Sequence, residues 1–403
     1  MTHENGQGWE HPPGEGAGGG PVPPADGSGG SPWAAPGGAP PPQPPSGPYG
    51  PSSPYGGPHG SPPPPRPGVV ALRRLNLGDI LNGAFSYIRH NPKTALGLTA
   101  IIMAVISVPS AVANGSMMND LSSWTEQLEQ QRDESLPVFP FSALTIVAVA
   151  AGPVLQWLGQ ALLTGLLAAV VGLSVIGRKL TMGQAWETVR PRLGGVLGVA
   201  GLYALLGLAS ALLLVGVIAA PSALIITDAA SPWVAVPAMG FGMLAWIALN
   251  VWIYVRTSLA MPVTVLENLG PAGSLVRSWR LTVGSWWRVF GILLLATLIA
   301  GVASSVLSVP FSIGNAVAEF GIPDATLRSI ATGALTFLGT VLASTLVVPF
   351  TIGVTALLYV DLRIRREGLD LKLQTAAQSG HHVGPEIYLP EPAQPGHSFG
   401  GGQ

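Results

Sequence analysis

Nine basic residues mark the places where this chain could do chemistry. Arg89, Lys93, Arg178, Lys179, Arg190, Arg192, Arg277, Arg280 and Arg288 all stand close to the entry or exit of a long apolar stretch. Cations at such boundaries attract the phosphates of anionic lipid headgroups. The same positions also suit residues that only anchor a helix at the interface, and both readings stay open. Other reactive types are scarce. Cysteine is absent, which excludes thiolate nucleophiles, disulfides and thiolate metal sites. Six of the seven histidines lie toward the two ends of the chain. The adjacent pair His381-His382 has no third ligand beside it and reads as tail sequence, not as a metal site. There is no His-Glu-x-x-His, P-loop, Gly-x-Ser-x-Gly or Cys-x-x-Cys pattern. The expectation is a non-enzymatic chain with no catalytic residue, no cofactor and no metal.

The centres of the apolar stretches contain no Asp, Glu, Lys, Arg or His. Ionisable residues inside a membrane mark proton relays and ion pathways. Their absence argues against an ion-coupled transporter, a pump or an intramembrane metalloprotease. A lipid translocator with a largely apolar path remains compatible. Gln156, Gln160 and Asn250 suit hydrogen bonds between helices, and Gly194 with Gly198 forms a small-xxx-small pair for close packing.

The elements that carry these residues follow from composition. Only 10% of the chain is charged and 48% is hydrophobic, whereas soluble domains carry about 25% charged residues. The net charge of -1 offers no basic excess for nucleic acid. Arginine outnumbers lysine 16 to 3, which with the Gly, Ala and Pro content suggests a high-GC bacterial genome. The first 68 residues hold 21 Pro and 18 Gly and almost no aliphatic side chains. Such a segment cannot bury enough apolar surface to offset chain entropy, so residues 1–70 are expected to be a disordered tail. Pro62 to Pro65 is its one dense proline cluster, and it has no apolar region of the kind a secretory signal needs. Residues 373–403 form a second polar tail.

Between the tails, residues 71–372 read as an all-α transmembrane domain. Crossing a bilayer takes about 20 apolar residues. Six stretches qualify: 94–114, 144–176, 193–219, 232–257, 287–309 and 329–360. Basic residues favour the cytosolic side. Of the 19 Lys and Arg, 17 fall before the first stretch, in alternate connections and after the last; only Arg132 and Arg328 fall in the others. The expected arrangement is a multipass inner-membrane protein with both termini in the cytosol.

Each outward-going stretch follows an amphipathic segment. Leu77, Ile80, Leu81, Ala84, Phe85 and Ile88 share one helical face, as do Ala185, Trp186 and Val189, and Ala272, Val276, Trp279 and Val283. Each outward stretch also reaches a proline: Pro109, Pro221 and Pro310. The pattern predicts three tandem units, each an interfacial helix followed by a helical hairpin. In the connection 114–141, Leu121, Trp124 and Leu128 have helical spacing, with Asn119 or Asp120 as a cap, predicting a short helix over the outer mouth.

Three segments carry a family resemblance. They are Leu77-Gly78-Asp79-Ile80-Leu81-Asn82-Gly83-Ala84-Phe85, then Val265-Leu266-Glu267-Asn268-Leu269-Gly270-Pro271 continuing to Arg277-Ser278-Trp279-Arg280 and Gly284-Ser285-Trp286-Trp287-Arg288, and finally Leu357-Leu358-Tyr359-Val360-Asp361-Leu362-Arg363-Ile364-Arg365-Arg366-Glu367-Gly368. Over residues 72–372 the chain resembles actinobacterial multipass proteins related to the membrane domain of glycerophosphoryl diester phosphodiesterases. The resemblance implies a fold. The catalytic barrel of those enzymes, with its His-Arg-Gly start and metal-binding acids, has no counterpart here, so no catalytic residue carries over. The function expected is a scaffold or lipid-associated envelope factor, with translocation of a lipid or small molecule as the alternative. The partners implied are membrane lipids and other membrane proteins.

Overall fold

The computed structural model describes residues 68–130, 141–229, 231–378 and 385–389. Residues 1–67 with the Pro62 to Pro65 cluster, and His381-His382, lie outside them. Eleven α-helices occur among the described residues: α1 (Leu77–His90), α2 (Pro92–Gln130), α3 (Ala143–Val175), α4 (Met182–Val189), α5 (Leu193–Ile226), α6 (Pro232–Thr257), α7 (Ala260–Glu267), α8 (Pro271–Thr282), α9 (Trp286–Gly321), α10 (Ala325–Glu367) and α11 (Leu369–Gln378). Short 3-10 turns cover Arg190–Arg192 and Pro385–Tyr388. Six helices, α2, α3, α5, α6, α9 and α10, are long and apolar enough to cross a membrane. The chain is a multipass, all-α integral membrane protein. The order short helix, long helix, long helix occurs three times: α1–α2–α3, α4–α5–α6 and α8–α9–α10. The ends that carry most of the basic residues are called the basic end below.

Local sequence sets the short helices. Asn76 and Asp79 form a reciprocal capping box at α1, and Thr181 and Gln184 do the same at α4. Pro271 starts α8 at a position where its missing N–H costs nothing. The bundle centres on α10, which packs along α2 and α9 and touches α1 and α3, while α2 also packs on α3. Close approach rests on glycine at particular points. A Cβ on Gly353 of α10 would stand 2.4 Å from the ring of Tyr87. That ring is fully buried, and its hydroxyl donates to the Pro349 carbonyl at 2.5 Å.

The second hairpin is built differently. α5 and α6 pack on each other; α5 also meets α3, α7 and α8, and α6 also meets α8 and α9. The buried residues of α5 are Val196, Val199 and Ala200, all near its basic end. Farther along, Leu205, Leu208, Leu212, Phe241 and Leu244 are exposed, as suits side chains in contact with lipid.

Pro109, Pro221 and Pro310 lie inside α2, α5 and α9. Several expectations are corrected. α2 continues for 39 residues, so no separate helix is capped over the outer mouth. Asp120 instead accepts from the Ser142 amide at 2.7 Å and the Thr145 hydroxyl at 2.6 Å, joining α2 to the start of α3. The apolar face of α1 is divided: Ile80 and Ala84 are buried in the bundle, while Leu77 and Phe85 stay partly exposed, Phe85 packing on Phe350 of α10 with ring centroids 4.7 Å apart. Residues read as a polar tail from 373 include the second half of α11 and a buried Tyr388, because its ring and the neighbouring Ile387 supply the apolar surface that a tail lacks. α7, wholly buried between the second and third units, has no counterpart in the sequence reading.

Candidate functional site

Polar residues at helical spacing line a cleft between the second hairpin and the rest of the bundle. α3 contributes Gln160 and Thr164, α5 contributes Tyr203 and Ser210, α6 contributes Asn250, Tyr254 and Thr257, and α10 contributes Thr351 and Thr355. Trp157, Leu206, Leu213, Leu249, Ile253, Met261 and Val348 supply apolar walls. The cavity is about 610 Å³. Among the described residues, no Asp, Glu, Lys, Arg or His lines it.

The hydrogen-bond state of this lining decides what it can bind. The hydroxyls of Thr164, Thr257, Thr351 and Thr355 donate back to carbonyls of their own helices. Tyr203 donates to the Thr257 carbonyl at 2.5 Å, and Ser210 donates to Asn250 Oδ1 at 2.7 Å, pinning α5 to α6. These hydroxyl donors are therefore spent and their oxygens keep lone pairs, while the Tyr254 hydroxyl and the Gln160 amide N–H groups keep donors without a partner among the described residues. Gln160 Oε1 is enclosed without a partner among the described residues. The cleft is an uncharged polar strip between apolar walls. It complements a hydroxyl-bearing, uncharged group joined to an apolar chain.

A second constellation gathers at the basic end. Glu267, at the end of α7, has a fully buried side chain. It accepts from Arg277 Nε at 2.9 Å and from the Tyr359 hydroxyl at 2.9 Å, with Arg363 Nε 3.8 Å away. Arg363 also donates to Glu367 at 2.9 Å and to the Tyr388 carbonyl at 2.7 Å, and Arg277 pairs with Glu367. Two acids and two bases thus neutralise each other. Burial pulls the Arg277 guanidinium down, but the Glu267 and Glu367 carboxylates outweigh it and hold the group above its usual value. Nearby, Asp361 accepts from the Leu75 amide, Arg288 and Arg365, each at 2.9 Å. The Leu75 carbonyl takes both arginines at 2.7 Å. Arg366 closes α8 by donating to the carbonyls of Arg280 and Val283. This is a clamp joining the start of α1, α7, α8, the start of α9 and the end of α10. Its charges are occupied with one another, and among the described residues no group of three or more His, Asp or Glu could hold a metal.

The nine basic residues singled out by sequence do not form one site. Arg89, Lys93, Arg178, Lys179, Arg190 and Arg280 are exposed. Arg277 and Arg288 belong to the clamp, and Arg192 donates to the Val265 carbonyl at the end of α7. Of the residues assigned to packing, Asn250 does bridge α6 to α5, whereas Gln160 faces the cleft. Gly198 abuts Pro271, while nothing lies near Gly194. Sequence reasoning missed Glu267, Tyr359, Asp361 and Arg363 as partners. It also missed the polar stripe of Tyr203, Ser210, Tyr254, Thr257, Thr351 and Thr355, whose i, i+3 and i+4 spacing was the available signal.

Fold and site together define an integral membrane protein with a neutral, laterally placed cleft and an ion-paired clamp at one end. No family model, no curated protein and no solved structure matches the chain.

Proposed function

We propose that this protein is a non-enzymatic, lipid-associated factor of the cell envelope whose cleft receives one amphiphile from the bilayer. The observation that carries this is the lining of the 610 Å³ cavity: hydroxyl and amide oxygens from four helices, apolar walls, and no acid or base. A charged substrate would enter such a site without a counter-ion, at high cost. A neutral, hydroxylated head with an acyl or prenyl chain meets no such cost. The basic end is the cytosolic one, because 17 of the 19 Lys and Arg fall in sequence before the first span, in alternate connections and after the last. Both termini are then cytosolic and the host is the inner membrane. The second and third of the segments that resemble the membrane domain of glycerophosphoryl diester phosphodiesterases supply most of the clamp, which supports reading that resemblance as one of fold and not of catalysis.

Translocation is the second reading. It is favoured by the second hairpin, whose buried contacts lie chiefly near its basic end. A hinge there would widen the cleft toward the far side.

The test is native mass spectrometry of purified protein. Gly207 lines the cavity, and a Cβ added there meets nothing within 4 Å. Gly207→Trp places a bulky ring in the cleft from a position whose Cβ has room. Wild type is expected to carry one retained lipid that this variant lacks, with both unfolding at the same temperature. Equal lipid retention in the two would refute the proposal.

A further inference from the structure

We propose that Arg256 is the seat of a lipid phosphate, at a site separate from the cleft. Arg256 stands one residue from the basic end of α6. Its guanidinium carbon lies 5.3 Å from the ring centroid of Trp279 and 5.8 Å from that of Trp252. The two indoles meet edge to face at 5.0 Å. Arg256 Nε and Nη1 are enclosed and have no hydrogen-bond partner among the described residues. The contrast with the other arginines at this end is sharp. Arg277, Arg288, Arg363 and Arg365 each have a carboxylate oxygen at 2.9 Å. An enclosed cation without a counter-ion is costly, and two indole faces offset only part of that cost. What this site lacks is an anion.

The setting says which anion. The backbone is fixed here: Ser278 Oγ donates to the Arg256 carbonyl at 2.8 Å and accepts from the Leu259 amide at 3.2 Å. α8 therefore holds the arginine at the break between α6 and α7. That helix leaves Val276 52% and Val283 47% exposed beside Trp279, an apolar strip suited to lipid. A cation at the end of a spanning helix, between two tryptophans, stands at headgroup depth. The abundant anion at that depth is the phosphodiester of a phospholipid, which accepts a charge-assisted hydrogen bond from guanidinium. With Nε and Nη1 enclosed, Nη2 is the nitrogen left for an outside oxygen. Arg256 and Trp252 are four residues apart on one face of α6, whereas Asn250, Tyr254 and Thr257 share another. The site does not depend on what fills the cleft, and Arg256 is not among the nine basic residues assigned above.

A soluble phosphate ester offers the same chemistry, so the experiment separates the two. The full chain is placed in nanodiscs of phosphatidylglycerol mixed with diacylglycerol, which lacks the phosphodiester, and the retained lipids are counted by native mass spectrometry. Wild type should hold one phosphatidylglycerol about tenfold more tightly than diacylglycerol, the scale of one charged hydrogen bond. Arg256→Gln should retain one phosphatidylglycerol fewer. Arg256→Lys keeps the charge and should keep that lipid. Glycerol 3-phosphate should not displace it. Equal retention of the two lipids by wild type, undiminished retention in Arg256→Gln, or displacement by glycerol 3-phosphate would each overturn the proposal.

Discussion

Glu267 shows how much can depend on one buried carboxylate. Its side chain is wholly enclosed and has Arg277, Tyr359 and Arg363 around it, and Arg363 is itself only 3% exposed. Removing the charge leaves Arg363 with less compensation inside the protein. Breaking a buried pair from one side costs about 3–5 kcal/mol. Glu267→Gln is therefore expected to lower stability by about that amount, measured by thermal unfolding in detergent. Arg73, which pairs with Asp79 at the surface at 3.2 Å, provides the comparison. Arg73→Ala should cost less than about 1 kcal/mol. Neither effect was legible in the sequence. Glu267, Tyr359, Asp361 and Arg363 stand at the ends of apolar runs, where they read as ordinary interface residues. Their partners are 92 residues away in the Glu267–Tyr359 bond and 286 in the Leu75–Asp361 bond. Local spacing carries no information about such pairs.

At the scale of elements, packing between helices turns on small residues, since in lipid the association of helices rests on close contact and not on water exclusion. Gly198 and Gly194 look alike in sequence, a small-xxx-small pair on α5. A Cβ at Gly198 would lie 2.3 Å from Cγ of Pro271, a rigid ring, whereas one at Gly194 meets nothing. Gly198→Ala should destabilise by about 1–3 kcal/mol through overpacking. Gly194→Ala should cause no loss and a gain of up to about 1 kcal/mol from helix propensity. Unfolding curves of the two variants check the contrast. The helices themselves were largely legible. The stretch 232–257 coincides with α6, and six apolar runs became six long helices. α2 was legible only to about residue 114, where the apolar run gives way to polar sequence. Within the helix the hydroxyls of Ser116, Ser122, Ser123 and Thr125 donate back to carbonyls three residues earlier, which lets a polar sequence stay helical. α7 escaped notice because its Ala260–Glu267 run is a continuation of the apolar character of α6, broken only by the turn at Ser258 and Leu259.

The whole molecule couples a clamped basic end to a second hairpin that stands apart over much of its length. Orientation follows from charge. Glu126 is exposed on the far extension of α2, and Lys179 is exposed at the basic end. A cysteine placed at Glu126 should react with a membrane-impermeant reagent applied from outside the cell, and one placed at Lys179 should react only after lysis; the reverse pattern would invert the topology. The cleft was half legible: Gln160 and Asn250 were noticed as polar residues within spans, but the stripe they belong to is shared among four helices and is assembled only by tertiary packing. The most direct measurement of its role is photo-crosslinking from a benzoylphenylalanine placed at Leu213, which lines the cleft, and at Leu298 on α9, which is 57% exposed and lies outside the lining. The account predicts that Leu213 captures one lipid class with a neutral hydroxylated head, while Leu298 captures the bilayer's lipids in proportion to their abundance. The same lipid profile at both positions would contradict it.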